Sequence, residues 1–384
     1  GGRPPPFHVH ASQLSSLRPM ALSSGNTVSA SYAADGRGPA VYGRYKADGF
    51  MVNPLMHQIG KPVGSDLSPS EAFRAAGLDW TAQKGLLYYP GPDGEPVPST
   101  EHCTITRSDN NQLLGVHGKG YTPIQQTAMI KVFEYLGDKA KIENILSIRD
   151  GRKVYATASI DIEEEVVPGD RVRRYLHIFN SHDGSSSFGA FETDIRLLCA
   201  NQLTHLMGRA FSNALESGQG LRMKHTQKVE QFAEALPQRI AEARKGFKKE
   251  IQQFRDMSRI QLRGNDRAHA EAVVRVLQAT YSDKLAAPIR DKDTGEKRER
   301  RITDLADVEF VLNHFRGSSG IGMELTGVQG TAWGLFNAIT QHECHDTGRS
   351  LDQTERCRAR LESLWGGQAA KRIDRARQAC LALA

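Results

Sequence analysis

The run Asn180-Ser181-His182-Asp183-Gly184 carries residue types that bind metal ions or move protons. As a site, His182 and Asp183 would bind a metal or act as a base and its orienting partner. As structure, Asn, Asp and Gly make a tight connection between two strands, with side chains that bond to their own backbone. Because Asp-Gly is a strong hairpin signal, the turn interpretation is favoured.

A second cluster of ligand types is His342-Glu343-Cys344-His345. Two histidines three residues apart share a face of an α-helix, as in short-spaced zinc sites. However, no Glu-x-x-His pattern is present and no second pair follows at zinc-finger spacing. Histidines also interact favourably with the carbonyl groups that end a helix. The sequence therefore predicts no metal or cofactor, with His342 and His345 as the alternative ligands.

The glycine-rich run from Gly115 to Gly120 invites comparison with a phosphate-binding loop. It lacks the order Gly-x-x-x-x-Gly-Lys-Ser/Thr that this chemistry requires. We expect a flexible turn that presents Lys119 and Tyr121 at the surface, where the two could contact a phosphate backbone.

The segment from Leu221 to Arg263 holds eleven basic and five acidic residues, a difference that equals the +6 net charge of the whole chain. Apolar residues recur every three or four positions from Ile240 to Phe254, which predicts an amphipathic helix. Its basic residues form i, i+4 sets on another side, where nucleic acid would be attracted. The alternative interpretation is that this side is the ordinary solvated face of a packed helix, because Glu242 and Glu250 reduce its positive charge. The loop from Lys297 to Arg301 adds four basic residues against one acid.

The elements that position these residues change in type along the chain. Strands and hairpins are predicted between about 86 and 191, with helices at 71–76 and 124–136, and Asp194–Met207 is predicted to turn helical. From about residue 226 the pattern is helical, with a new helix or a kink at Pro237. The fold class is therefore α+β: a small, largely antiparallel sheet with crossing helices, followed by a helical C-terminal subdomain. The predicted division is a disordered or loosely attached segment at 1–50, an α+β sheet domain at 51–220, and a helical subdomain with the basic helix at 221–384.

Bulk composition narrows the class of protein. The chain has 384 residues, enough for a substantial core. Five scattered cysteines without a Cys-x-x-Cys pair favour reduced thiols and a cytoplasmic location. No apolar run reaches the ~20 residues of a membrane helix, so no membrane partner is expected. Met20 is a candidate start, which would make residues 1–19 upstream sequence.

Six blocks stand in order along the chain: Pro54–Gly60, Ala75–Trp80, Gly115–Gln125, Asn180–Ser185, Arg196–Leu203 and Thr331–Ala338. Together they resemble the phage/plasmid-like family built on domain of unknown function 932. The resemblance covers roughly Asn53 to Arg349, with Leu55-Met56 where the family has Trp. It implies an origin on mobile elements and no particular activity.

Three functional hypotheses follow. The first is a non-enzymatic DNA-binding protein of a mobile element, with single-stranded DNA favoured. In this hypothesis Tyr121 or Phe188 would stack on bases. Because annealing proteins work as rings or filaments, self-assembly is also expected. The second is a metal-dependent hydrolase of nucleic acid, with ligands from His182, Asp183, His342, Glu343 and His345. The third is an interaction protein that targets a host complex. The predicted nucleic-acid contacts are Lys119, Tyr121, Arg196, Arg244, Lys245, Lys248, Lys249, Arg255 and Arg259, and the candidate polar site is Asn180, His182, Asp183 and Asn201.

Overall fold

The structure is a computed structural model that describes residues 60–64, 66–203, 221–223, 229–262, 267–291, 294–316, 319–348 and 350–384. Within these ranges, the side chains at 221–223, 229–233, 235, 239, 243 and 366 are left undescribed. Several sequence predictions lie outside the described residues: the loose segment 1–50, the block at Pro54 and His57, the end of the predicted helix Asp194–Met207, and the charges of Lys224, Lys228 and Arg263.

Twelve strands are described, in three antiparallel sheets. The main sheet has the order β1-β5-β6-β7-β8-β10, with β9 paired to β8, while β2-β3-β4 and β11-β12 form the two smaller sheets. The strands are β1 Lys61–Pro62, β2 Ala82–Pro90, β3 Pro96–Arg107, β4 Leu113–Gly118, β5 Ala140–Ile148, β6 Lys153–Val167, β7 Asp170–Ser181, β8 Phe188–Arg196, β9 Asn201–Gln202, β10 Leu221–Met223, β11 Ile289–Arg290 and β12 Lys297–Arg298.

Helices flank the main sheet and make up most of the C-terminal half. The α-helices are α1 Pro69–Ala75, α2 Gln126–Leu136, α3 Val229–Arg259, α4 Arg267–Thr280, α5 Ser282–Leu285, α6 Ala306–Phe315, α7 Ala332–Gln341, α8 Gln353–Gly366 and α9 Gln368–Leu381. A π-helical turn, His342–Asp346, follows α7, and single 3₁₀ turns lie at Gly137–Lys139 and Ile302–Asp304. This arrangement confirms the α+β class.

The alternation of side chains along β7 assigns the two faces of the main sheet. Arg174 points to the face covered by α3, where its guanidinium lies 5.2 Å from the ring centroid of Phe247. His177 points to the opposite face, where Trp365 of α8 packs 5.4 Å away. One apolar cluster runs through the sheet and the helices on both sides.

Local signals placed several elements correctly. Ser68 caps α1, and the Glu71 carboxylate accepts a 2.9 Å hydrogen bond from the Ser68 N–H, which completes a capping box. Asp150 and Gly151 have positive φ angles of 59° and 98° in the connection between β5 and β6, as the predicted hairpin requires.

One local prediction was wrong. Asp194 and the residues after it are not helical as far as residue 203: β8 runs to Arg196, and β9 pairs back onto it, with Asn201 opposite Arg196. Sheet pairing here overrides the helical appearance of the run. Of the two alternatives at Pro237, a new helix is excluded because α3 continues through this residue, and a kink stays a prediction.

All five cysteines are buried free thiols. Among the described helices, none combines the length and the apolar character that crossing a bilayer would require.

Candidate nucleic-acid surface and buried polar clusters

Four of the predicted phosphate contacts form one surface on α3, here called the basic patch: Arg244, Lys245, Lys248 and Lys249. All four side chains are exposed. At 3.6 residues per turn they fall within an arc of about 140° that lies outside the apolar stripe. The Arg244 guanidinium donates a 3.0 Å bond to the main-chain carbonyl of Asp161, which leaves its charge unneutralised by a carboxylate. In the described structure the three lysines form no ion pair.

The helix that carries the basic patch is held firmly against the sheet. Phe247, Ile251 and Phe254 on its inner side are all at most 1% exposed. Arg174 of β7 bonds bidentately to Asp194, at 2.6 and 2.8 Å, and also contacts the Glu250 carboxylate of α3. Glu250, one of the two glutamates expected to dilute the basic field, therefore points inward and is neutralised.

The two other α3 residues predicted to bind phosphate, and Arg298 of the basic loop, are partly or wholly neutralised. Arg255 pairs with Glu164 at 3.0 Å, and Arg259 pairs with Asp256 at 2.9 Å. In the loop at Lys297–Arg301, Arg298 is held between Asp291 and Asp304 at 3.1 and 2.7 Å. On α3, the predicted phosphate contacts that have no carboxylate partner among the described residues are thus the four of the basic patch.

At the end of β7, a loop cluster forms from Trp80, His117, Tyr121, Asn180 and His182. His117 stacks on Tyr121 with ring centroids 3.9 Å apart, and its Nε2 donates a 2.8 Å bond to the His182 carbonyl. Asn180 donates a 2.6 Å bond to the carbonyl of Ile124. The cluster ties the small sheet β2-β3-β4 to the main sheet.

The Asn180–Gly184 run begins in the last two residues of β7 and continues into the connection to β8, as the turn interpretation predicts. The Asp183 carboxylate accepts bonds from the Ser181 hydroxyl at 2.6 Å and from the Ser185 N–H at 2.9 Å. Partial burial raises the pKa of Asp183, but these bonds outweigh it and hold the pKa below its usual value. His182 is fully buried. These contacts are those of a connection that stabilises its own backbone.

The two aromatic residues predicted to stack on bases, Phe188 and Tyr121, are less exposed than the sequence predicted. Phe188 is fully buried in the core and presents no ring to a base, so that prediction was wrong. Tyr121 is half-buried against His117, and its hydroxyl lies 3.4 Å from the Ser181 carbonyl. Lys119 is exposed at the end of β4, as predicted. Three described tyrosines are more accessible: Tyr88 and Tyr89 of β2, at 53% each, and Tyr135 of α2, at 54%.

A helix cluster lies at the other end of β7 and includes Asp170, Arg196, Asn201, Trp333 and His345. Arg196 is fully buried, and its Nε donates a 2.6 Å bond to Asp170. The other oxygen of Asp170 accepts a 2.8 Å bond from the Trp333 indole. The prediction that Arg196 contacts phosphate was therefore wrong, because its charge is paired with Asp170, and this pair joins the sheet to α7 through Trp333.

Asn201 and His345 belong to the same helix cluster. The Asn201 amide donates to the Asn337 carbonyl at 3.2 Å and to the Thr340 hydroxyl at 3.1 Å. His345 Nε2 lies 3.0 Å from both the Asn201 side-chain oxygen and the Cys199 carbonyl, and burial lowers the pKa of His345 to about 4. Both side chains join β9 to α7 and the turn that follows it.

The candidate polar site is thus divided between the two ends of β7. Asn201 pairs with Arg196, which pairs with Val172 of β7, whereas His182 lies ten residues further along the chain. At about 3.3 Å per residue this corresponds to roughly 30 Å of extended strand. His182 and Asp183 therefore do not share a site with His345, and the ligand set of the hydrolase hypothesis was wrong.

His342 and His345 also do not form the alternative metal pair. His342 contacts Asp307 and Asp346 at 3.0 and 3.3 Å, while His345 contacts Cys199 and Asn201. The reason is the π-helical turn, in which residues three apart no longer share a face as they do in an α-helix.

A cavity of about 1140 Å³ lies between α4, α6 and the segment before α6, and no sequence signal marked it. Its walls include Val273, Leu277 and Leu312, and both Arg300 and Arg301 line it. Two arginines of the predicted basic loop are thus part of a cavity wall.

Comparison with known proteins decides the family. A family model described as domain of unknown function 932 (DUF932) matches residues 113–365, more than half of the chain. The chain belongs to the DUF932 family. No curated protein and no solved structure matches it.

Five of the six blocks that resemble the DUF932 pattern lie in described residues, and they gather in the two polar clusters. Trp80, the Gly115–Gln125 block and the Asn180–Ser185 block meet in the loop cluster, where the ring centroids of Trp80 and His182 are 5.6 Å apart. The Arg196–Leu203 and Thr331–Ala338 blocks meet in the helix cluster. In this DUF932 protein the recognisable residues hold the two ends of β7 in place, and the basic patch lies outside all of them.

Proposed function

We propose that this DUF932 protein binds single-stranded DNA without catalysing a reaction, through the basic patch on α3. The observation that carries the proposal is the patch itself: four exposed cations within six residues, with no carboxylate partner among the described residues. Proteins that bind single strands without sequence preference use such positively charged surfaces to follow the phosphate backbone.

Rigidity supports the proposal. The inner side of α3 is fixed by Phe247, Ile251 and the Arg174–Glu250 contact, so the four cations are presented on an ordered surface. A helical rise of about 1.5 Å per residue spreads Arg244 to Lys249 over about 7.5 Å, enough for neighbouring phosphates of one strand. Contacts of this kind carry no sequence information, and we therefore propose binding that is independent of sequence.

The proposal has two further parts that do not depend on the basic patch. The first is that the protein originates from a phage or plasmid. The second is that it assembles into rings or filaments that anneal DNA strands. Base stacking, if it accompanies phosphate binding, would fall to the exposed Tyr88 and Tyr89 in place of the buried Phe188.

The test is fluorescence anisotropy with a labelled 30-nucleotide single strand and its duplex, at 50 and 200 mM salt and in the presence of a chelator. Four phosphate contacts predict a salt slope of about −2.8 for single strands, hence roughly 50-fold weaker binding at 200 mM than at 50 mM. Absence of binding at 50 mM salt would refute the proposal.

Two further arms separate the alternatives. The oligonucleotide should be recovered intact after incubation with the protein and Mg²⁺ or Mn²⁺, whereas cleavage would favour the hydrolase hypothesis. Size-exclusion chromatography with and without DNA tests self-assembly.

A further inference from the structure

The turn that ends α7 forms a buried cluster of acids and imidazoles, here called the imidazole cluster: Asp307, His314, His342, Glu343 and Asp346. His342 and Glu343 are 4% and 1% exposed, and both belong to the π-helical turn. Single π-helical turns are rare and frequently lie at functional sites. The nucleic-acid surface does not involve this cluster.

Three side chains of the cluster converge on one point. Asp307 comes from the first turn of α6, and its Oδ1 lies 3.0 Å from His342 Nε2. One ligand atom each from Asp307, His342 and Glu343 all lie within 4.8 Å of one another. An imidazole nitrogen and two carboxylate oxygens at this spacing can surround a single cation.

Glu343 supplies an independent observation. Its Oε1 is buried without a hydrogen-bonding partner, and its Oε2 is 3.5 Å from Arg372 Nη1. The neighbouring Tyr281 hydroxyl is buried beside the same carboxylate and interacts with it. A buried carboxylate oxygen left without a partner is costly, and a bound cation would remove that cost.

A second set of contacts orients the imidazole. His342 Nδ1 lies 3.3 Å from Asp346 Oδ2, and the same oxygen lies 2.5 Å from His314 Nε2. A carboxylate on one ring nitrogen fixes the tautomer and turns the other nitrogen toward a metal, as in the carboxylate–histidine–metal arrangement.

We propose that Asp307, His342 and Glu343 bind one divalent transition-metal ion, with Zn²⁺ as the probe. An imidazole with two carboxylates favours Zn²⁺ over Mn²⁺, and the nitrogen ligand disfavours Mg²⁺. The three protein ligands leave a fourth position for water. The ion would join α6 to the turn after α7.

Binding has to displace two cationic groups. The Lys284 ammonium contacts Asp307 Oδ1, but the Lys284 side chain is 26% exposed and can turn into solvent. Both ring nitrogens of His342 face carboxylates, Asp307 at 3.0 Å and Asp346 at 3.3 Å, so the ring carries a proton at each nitrogen, one of them between His342 Nε2 and Asp307 Oδ1. The metal would take the place of that proton between His342 and Asp307.

The direct test is metal content and isothermal titration calorimetry of chelator-treated full-length protein with Zn²⁺, Mn²⁺ and Mg²⁺. The expected result is one Zn²⁺ per chain, at least tenfold weaker Mn²⁺ binding, and no Mg²⁺ binding at millimolar concentration. Asp307→Asn should abolish Zn²⁺ binding, while Glu309→Gln, which removes an exposed carboxylate from the same helix, should retain it.

Asp346→Asn provides a milder variant in case Asp307→Asn fails to fold. Loss of this orienting carboxylate should weaken Zn²⁺ binding about 10- to 100-fold. If wild-type protein binds no Zn²⁺, or if Asp307→Asn and Asp346→Asn bind it as wild type does, the cluster is an ion-pair network and the proposal is wrong. Variants of the basic patch should bind Zn²⁺ normally, so this outcome is independent of DNA binding.

Discussion

Removing the three lysines of the basic patch is the most informative perturbation of the proposed DNA-binding surface. The variant Lys245→Gln/Lys248→Gln/Lys249→Gln leaves only Arg244 of the four patch cations. Each contact to a single strand contributes about −0.7 to the slope of log K against log salt, so the slope should fall by about 2.1. That difference corresponds to roughly 500-fold weaker binding at 50 mM salt and about 30-fold at 200 mM.

The assay is the anisotropy titration at four salt concentrations. A matched control is Lys139→Gln/Lys141→Gln/Lys371→Gln, which removes the same charge from exposed lysines on other elements. Both triple variants change surface residues only, so each unfolding free energy should stay within about 1.5 kcal/mol of wild type, ~0.5 kcal/mol per substitution.

The salt slope distinguishes local contact from general charge. If the patch variant keeps the wild-type slope, or if the control variant loses as much affinity, DNA is not held by α3. A change in affinity without a change in slope would also contradict the reasoning, because phosphate contacts release counterions.

Three predictions concern the frame that carries the site. Arg196→Met leaves the Asp170 carboxylate buried and unpaired, which should cost about 3–5 kcal/mol in urea unfolding; a loss below ~1 kcal/mol would show that the pair does not join sheet and helices. Burial lowers the pKa of His177 to about 3 in the folded protein, whereas its ordinary value in the unfolded chain is 6.5. As the pH falls below 6.5, the unfolded chain therefore takes up a proton that the folded protein does not, and the free energy of unfolding decreases. Between pH 7 and 5 this should amount to roughly 2 kcal/mol, a loss absent in His177→Gln, and equal pH dependence of the two proteins would contradict it. A Cβ at Gly115 would lie 2.8 Å from the His182 carbonyl, whereas one at Gly118 meets nothing within 4 Å. Gly115→Ala should therefore destabilise the protein by about 1–3 kcal/mol and Gly118→Ala should not, as thermal unfolding would show.

Sequence patterns predicted the elements whose signals are local. The cap at Ser68, the Asp150-Gly151 turn and the apolar stripe of α3 each depend on residues within a few positions of one another, and each was found. The run after Asp194 was misassigned because its strand pairing is decided by β7 and β9, which the local pattern does not contain.

The buried polar clusters were beyond sequence reasoning for the same physical reason. Arg196 carries a charge that normally faces solvent, and its partner Asp170 stands 26 residues earlier on another strand. Asp307 reaches His342 only because α6 packs beside the end of α7. By contrast, the basic patch was predictable, since four cations in six residues must lie close together on any helix.

Lysine footprinting tests the central claim most directly. The protein is treated with an acetylating reagent, alone and saturated with a 30-nucleotide single strand, and modification is read by mass spectrometry. Lys245, Lys248 and Lys249 should be protected several-fold in the complex, while Lys139, Lys141 and Lys371 should be modified equally in both states. Unchanged modification of the three patch lysines in a complex shown to be saturated would contradict the assignment of DNA binding to α3.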